Sequence, residues 1–373
     1  MVGRLITVTA NTYGESYCYD PVGRLADQTV TIPSGGTYAY DTTYNVAGLL
    51  STLSYPTSTS SYRLKLQYGY SAGILQSIAD ANALTTVFWQ ANTMNPAGQV
   101  TKETLGNGVV TSRIFDPVNG ALSSLTSGLA ATPTALQNES YLYDVAGNTS
   151  LRQNNNVGLN ENFYYDGINR LDHSTLNGTA NLQMHYDAAG MGNIASKSDV
   201  AAGATWTYDP TRIHAVTQAG TGGPSYTYDA NGNAMTRNGS TITWTSYNHP
   251  LQINSGSESV NFAYTQDHTR WSAVYSGPAG VETTYFAGPA MEVVSSAGLV
   301  DYRHFIFANG IKVASYSRTW NGTSGINTLY YIREDLLGGV SGIISADGTS
   351  FVKESFSAFG ARRSACDLSL IHI

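Results

Sequence analysis

The sequence predicts an all-β fold: tandem hairpins forming a curved, spiral antiparallel sheet. Three observations carry that expectation: a recurring Tyr-Asp-x-x-Gly string, strand-like alternation leading into it, and no sustained helical period. The string is clearest at Tyr19-Asp20-Pro-Val-Gly23, Tyr143-Asp144-Val-Ala-Gly147, Tyr186-Asp187-Ala-Ala-Gly190 and Tyr228-Asp229-Ala-Asn-Gly232. Looser copies begin at Tyr44, Tyr70, Met94, Phe115, Tyr165, Tyr208, Tyr247 and Tyr264. The twelve copies are spaced by 17 to 28 residues, and self-similarity of this period marks a repeat architecture.

Each copy has a local physical reading. Ser225-Tyr-Thr-Tyr228 and Thr205-Trp-Thr-Tyr208 alternate aromatic and small polar residues, which is the period of a strand. The Asp side chain accepts hydrogen bonds from nearby backbone and opens a turn. Gly supplies the positive φ that a tight turn needs. A second strand follows, as from Leu171 onward or along Gln99-Val-Thr-Lys-Glu103. One copy is therefore one hairpin. Its Tyr ring is expected to pack along neighbouring strands, with the hydroxyl facing water or a partner.

Composition narrows the class. Of 373 residues only 12% are charged, about half of what soluble domains usually carry. A coiled coil needs many more charges, and disorder does not suit a chain with 26 Tyr. No window approaches 18 apolar residues, so no helical membrane span is expected. The first residues lack the long apolar run of a signal peptide. A net charge of -7, with 19 scattered basic residues, argues against nucleic acid as a partner. Cys18 and Cys366 lie at opposite ends and form neither a disulfide framework nor a C-x-x-C pair.

Tests for enzyme chemistry come out negative. Gly190-Met-Gly192-Asn-Ile-Ala195 matches a dinucleotide fingerprint in form, but it lacks the βαβ setting that the fingerprint requires. Gly220-Thr-Gly-Gly-Pro224 has no Lys-Ser/Thr for a phosphate, and no nucleophile elbow or His-Glu-x-x-His is present. The histidines at 173, 185, 214, 249, 268, 304 and 372 never pair at metal-ligand spacing. No catalytic residue, cofactor or metal is expected, and the chain is read as non-enzymatic.

The repeat string resembles the YD repeats of the rearrangement-hotspot (RHS) family. A C-terminal stretch resembles that family's repeat-associated core: Tyr330-Tyr331-Ile-Arg-Glu-Asp335-Leu-Leu-Gly338, then Asp347-Gly348, then Phe356-Ser-Ala-Phe359-Gly360. The departures are Leu-Leu-Gly after Asp335 and Phe356 where Tyr is usual. On this resemblance residues 1–275 are YD repeats, 276–363 a truncated core, and 364–373 a non-native tail. Back-translated, Leu368–Ile373 resembles the end of a sequencing adapter. The core should supply strands at Leu329–Arg333, Val340–Ile344 and Phe351–Phe356, the last ending at an exposed edge.

The resemblance implies a β-sheet shell of a bacterial polymorphic toxin, secreted or at the cell surface, that encloses a C-terminal toxin domain absent from this chain. Implied partners are that toxin, an immunity protein or a secretion-system component. Twelve hairpins make a ribbon about 115 Å wide, too little to close around a domain, so further repeats upstream are expected. The family's self-cleavage motif follows the core. Asp20-Pro-Val-Gly-Arg-Leu25 approaches that motif but sits in repeat register. The alternative is a module whose aromatic β-surface binds cell-surface carbohydrate. The two differ in the tyrosines: packed rings favour a wall, open rows of rings favour glycan binding.

Overall fold

The computed structural model describes residues 3–10, 13–59 and 62–363; the tail expected at 364–373 lies outside them. The described residues are all-β. They contain no α-helix, and a short 3₁₀ turn covers Ala201–Gly203. Strands pair antiparallel with their chain neighbours into open sheets of 17 and 13 strands, plus a two-stranded ribbon. The chain divides into two compact units. One comprises Met1–Gln137, Ala263–Val274 and Gly280–Ile373, the other Asn138–Phe262 and Tyr275–Ala279.

In the first unit, early hairpins such as Tyr13–Tyr19 with Leu25–Ile32 meet the late strands Leu299–Ala308, Ile311–Trp320 and Gly325–Glu334. Strand alternation puts one apolar face of each set inward. Val30, Leu66, Ile78 and Trp89 of the early set share a core with Ile306, Ala314, Tyr331 and Ile344 of the late set. Tyrosines fasten the contact: Tyr40 Oη donates to Ala287 O at 2.7 Å and Tyr55 Oη to Phe305 O at 2.6 Å. A buried ion cluster does the same. Glu103 Oε1 lies 2.5 Å from Arg333 Nη1 and 2.8 Å from Arg113 Nη2, while Trp89 Nε1 donates to Glu103 Oε2 at 2.8 Å.

The late strands Gly325–Glu334 and Val340–Ser345 contain the first two strands expected of the core segment, and Gly348 between the second and third has φ 73°. The third is shorter than expected. It covers Phe351–Lys353 and stops before Phe356, which bridges instead to Arg362 across a turn of its own. Phe351 and Val352 are exposed.

The second unit is built from shorter hairpins, including Leu159–Tyr165 with Leu171–Leu176 and Tyr226–Tyr228 with Ala234–Arg237. Tyr141, Leu159, Leu182 and Met184 are buried there, beside Glu161, whose carboxylate lies 2.5 Å from Arg152. In both units the opposite sheet face carries paired threonines. Thr43–Thr52, Thr93–Thr101 and Thr227–Thr236 join hydroxyls at 2.7–2.8 Å, and each first Thr immediately precedes the first residue of a repeat copy. Aromatic residues on one face and hydroxyl pairs on the other are the period-two pattern made physical.

In the first unit, His304 sits fully buried on the strand Leu299–Ala308. Its Nδ1–H donates to Tyr316 O at 2.9 Å, and its Nε2 has no partner among the described residues. Burial pushes its pKa down from 6.5 to about 4. The unfolded chain takes up the proton first, so stability is lost as pH falls from about 6.5 to about 4, by about 3 kcal/mol. Burial would raise Glu103, but Arg333 and Arg113 outweigh it and hold the carboxyl near about 2, which adds loss below pH 4.5. The melting temperature is expected to fall steadily below pH 6.5, and His304→Gln to flatten the stretch between 6.5 and 4.5. Equal slopes for variant and parent would remove His304 from this account.

Candidate functional site: a ladder of stapled hairpin turns

A regular copy closes its turn over five residues. Asp144 N–H donates to Asn148 O at 2.9 Å, and Gly147 N–H returns a bond to Asp144 O at 3.0 Å. Asp144 Oδ1 accepts the N–H groups of Ala146 and Asn148, both at 2.9 Å, and Oδ2 accepts the Asn148 amide at 2.9 Å. The same backbone pair and carboxylate geometry recur at Asp20, Asp166 and Asp229, and with an amide oxygen at Asn45 and Asn95. This is a type I turn followed by a left-handed residue, with a register shift at the aromatic. Gly23, Gly147, Gly190 and Gly232 have φ of 87°, 86°, 73° and 89°. Asn169 takes the left-handed place in the Asp166 turn with φ 63°.

The turn fixes the charge of its first residue. The Asn148 amide holds the Asp144 carboxyl below its usual range, the Asn233 amide does so for Asp229, and the Arg170 backbone N–H for Asp166. These aspartates therefore stay ionised as structural acceptors. The Asp187 turn is wider: its N–H reaches Asn193 O, and Oδ1 and Oδ2 accept from Gly192 and Asn193.

The aromatic before each Asp joins one copy to the preceding one. Tyr44 Oη donates to Leu25 O at 2.9 Å, Tyr165 to Thr149 O at 2.9 Å, Tyr186 to Leu171 O at 2.9 Å, Tyr208 to Ile194 O at 2.7 Å and Tyr228 to Val216 O at 2.8 Å. Each acceptor is the first residue of the second strand in the copy before. Tyr19 donates to Leu5 O at 2.7 Å, and Tyr143 ends the strand Thr132–Tyr143 half-buried. Sequence alone left the hydroxyl facing water or a partner; these acceptors are main-chain carbonyls.

The polar residue that ends the repeat string, which the sequence names without giving it a role, completes the ladder. The position after the turn Gly holds Arg24, Asn148 or Asn233, and Arg170 follows Asn169. Arg170 Nε lies 2.7 Å from Asp166 Oδ2, and its guanidinium covers the Tyr186 ring at 3.9 Å. Arg24 links Asp20 to the Tyr44 ring in the same way, at 2.6 and 4.3 Å. Where Asn stands, it reaches the next turn: Asn148 Nδ2 to Asn169 Oδ1 at 3.0 Å, Asn233 Nδ2 to Asn248 Oδ1 at 2.8 Å. Its fixed offset from the Asp was the signal available.

Two further copies depart from the sequence pattern in other ways. The one assigned to Tyr247 begins three residues earlier. Trp244 ends its strand, Trp244 Nε1 donates to Ala234 O at 2.9 Å, Thr245 opens the turn, and Asn248 is left-handed at φ 62°. An indole N–H can do what the phenol does, whereas Tyr247 lies inside the turn. At Tyr70 the loop is only Ala72-Gly73, both with positive φ, which is the two-residue hairpin connection. Among the core residues, Tyr331 is buried in the first unit's core. Asp335 and Gly338 form the regular turn, with Asp335 Oδ1 accepting from Leu337 and Gly339 and Gly338 at φ 80°. Gly360, φ 79°, closes a Ser357 turn that presents Phe359 at its exposed tip.

No group of three metal-ligating side chains occurs among the described residues. No family model matches the chain, and no curated protein matches it. Solved structures do. Crystal structures of TcdB2-TccC3, of TcdB2-TccC3-Cdc42 and of TcdB2-TccC3-TEV match 94% of this chain, with TM-scores of 0.76, 0.77 and 0.74 at 15–16% identity. The likeness shows a shared fold. The chain spans about a fifth of the length of these neighbours, 20–21% of each.

The ladder makes two expectations measurable by denaturant unfolding. A Cβ added at Gly147 would meet no atom within 4 Å, so replacement there costs backbone strain alone. Gly147→Val should cost more than about 1 kcal/mol, and Gly147→Asn clearly less, because Asn tolerates left-handed φ. Equal costs would refute the turn geometry. Tyr186→Phe keeps the ring under Arg170 but loses the bond to Leu171 O, an expected loss of about 1 kcal/mol. A neutral Tyr186→Phe would mean that the hydroxyl is no staple.

Proposed function

We propose that this chain is a non-catalytic stretch of RHS-type shell wall, part of a longer protein that encloses a C-terminal toxin domain and helps deliver it. The observation that carries the proposal is the fold shared with TcdB2-TccC3 across 94% of the chain. The stapled ladder supports it. A wall grows by adding hairpins whose main fastening is to the hairpin before, and the tyrosine hydroxyls provide that fastening here. The repeat tyrosines are half-buried, and Tyr19, Tyr44, Tyr165, Tyr186, Tyr208 and Tyr228 engage their hydroxyls, which favours a wall over an open row of sugar-stacking rings. On this reading the partners are the enclosed toxin and an immunity protein or a secretion-system component, and the site of action is outside the producing cell.

The test uses the source gene extended beyond this segment. In the full-length product, the C-terminal domain should survive a protease dose that destroys the same domain expressed alone. Equal digestion would overturn the container reading. Saturable binding of the segment to a glycan panel, lost on Tyr→Ala changes in the ladder, would replace it with the carbohydrate-binding one.

A further inference from the structure

The first unit contains an open cleft of about 300 Å³ with a charged floor and apolar walls. Trp89, Glu103 and Arg113 form the floor; Met94, Phe115 and Ile311 are among the wall residues. Trp89 is 1% and Glu103 6% exposed, and the Arg113 side chain 18%, so the floor is largely withdrawn from water. The Glu103 carboxylate faces two guanidiniums, Arg333 behind it and Arg113 on the cleft side. Its carboxyl is held near about 2, so it is ionised, and the three groups together carry one excess positive charge. Glu334, next to Arg333, lies at a register shift of its strand and interacts electrostatically with both Arg333 and Lys312.

The two arginines are not equally satisfied. Arg333 makes three bonds behind the floor, with Nε on Ile332 O and Nη1 on Glu103 and Thr111 Oγ1. Arg113 gives one bond, from Nη2 to Glu103; among the described residues its other donors have no protein partner. A guanidinium carries five N–H donors in a planar fork that suits a second carboxylate. A half-buried excess charge is costly unless it is paired.

We propose that this cleft binds a small aliphatic carboxylate. The carboxylate pairs with the free side of Arg113, and the hydrocarbon chain lies against Met94, Phe115 and Ile311. The volume falls at the lower end for small-molecule sites, where a few placed polar groups orient a mostly apolar ligand. Charge-assisted pairing supplies selectivity for the acid over its alcohol. The inference stands on this cleft alone and does not require the wall reading.

The experiment is a calorimetric titration of the chain with decanoate, kept below its micellar concentration, and in parallel with decanol. Decanoate should bind saturably at a one-to-one ratio, with decanol weaker by about tenfold or more. Arg113→Met should weaken decanoate by a similar factor and leave decanol unchanged. The fold should tolerate this change, because Glu103 keeps Arg333. Ile311→Glu, at a position 44% exposed, places a like charge at the mouth and should also weaken decanoate, which tests the site even if Arg113→Met fails to fold. No saturable decanoate binding, equal binding of decanol, or decanoate affinity untouched by Ile311→Glu would each overturn the proposal.

Discussion

The bond from an aromatic side chain to the first carbonyl of the preceding copy's second strand is the interaction on which the architecture depends. A hairpin alone is marginal in water, and neighbouring hairpins share only ladder hydrogen bonds and whatever their side chains add. The phenol adds a ring that covers the neighbouring strand and a donor that reaches its main chain. This explains an unusual composition: tyrosine outnumbers phenylalanine 26 to 10, while charged residues are scarce. Copies joined this way couple mainly to the next in line, so stability accumulates along the chain.

The turn solves a second problem. Reversing the chain strands several N–H groups, and one carboxylate collects them: Asp144 takes three donors and Asp20 three. Because the need is for an acceptor, Asn45, Thr245 and Ser357 can stand in its place. The left-handed place likewise admits Gly, Asn and, at His268 with φ 66°, histidine. Loose copies are therefore physically equivalent to strict ones where the donors and acceptors match.

This equivalence decides what was legible in the sequence. Strand, turn and turn-Gly positions follow from local chemistry and could be read directly. The acceptor of each hydroxyl could not, because it depends on register against another copy. Trp244 escaped notice because Thr245 and Asn248 stand where the string has Asp and Gly, although what the turn needs is an acceptor and a residue that tolerates left-handed φ. Asp335 and Ser357 open the same turn, yet their strings were read as a separate core on the family resemblance, since Glu334 rather than an aromatic precedes Asp335 and Ser replaces Asp at 357. The floor of the cleft was illegible: Glu103, Arg113 and Arg333 come from three strands with no shared motif.

The ion pair between Glu103 and Arg333 has a consequence in time. Its partners are 230 positions apart, whereas paired residues of a hairpin such as Val300 and Trp320 lie far closer in sequence. A ribosome adding 5–20 residues per second needs roughly 10 to 50 s to travel from one to the other. During that interval the early hairpins can form, while Glu103 has only Arg113 to answer its charge and the apolar face around Trp89 has no late strands to cover it. The first unit is thus assembled in two stages during its own synthesis, and its early face is exposed to other nascent chains until Arg333 arrives.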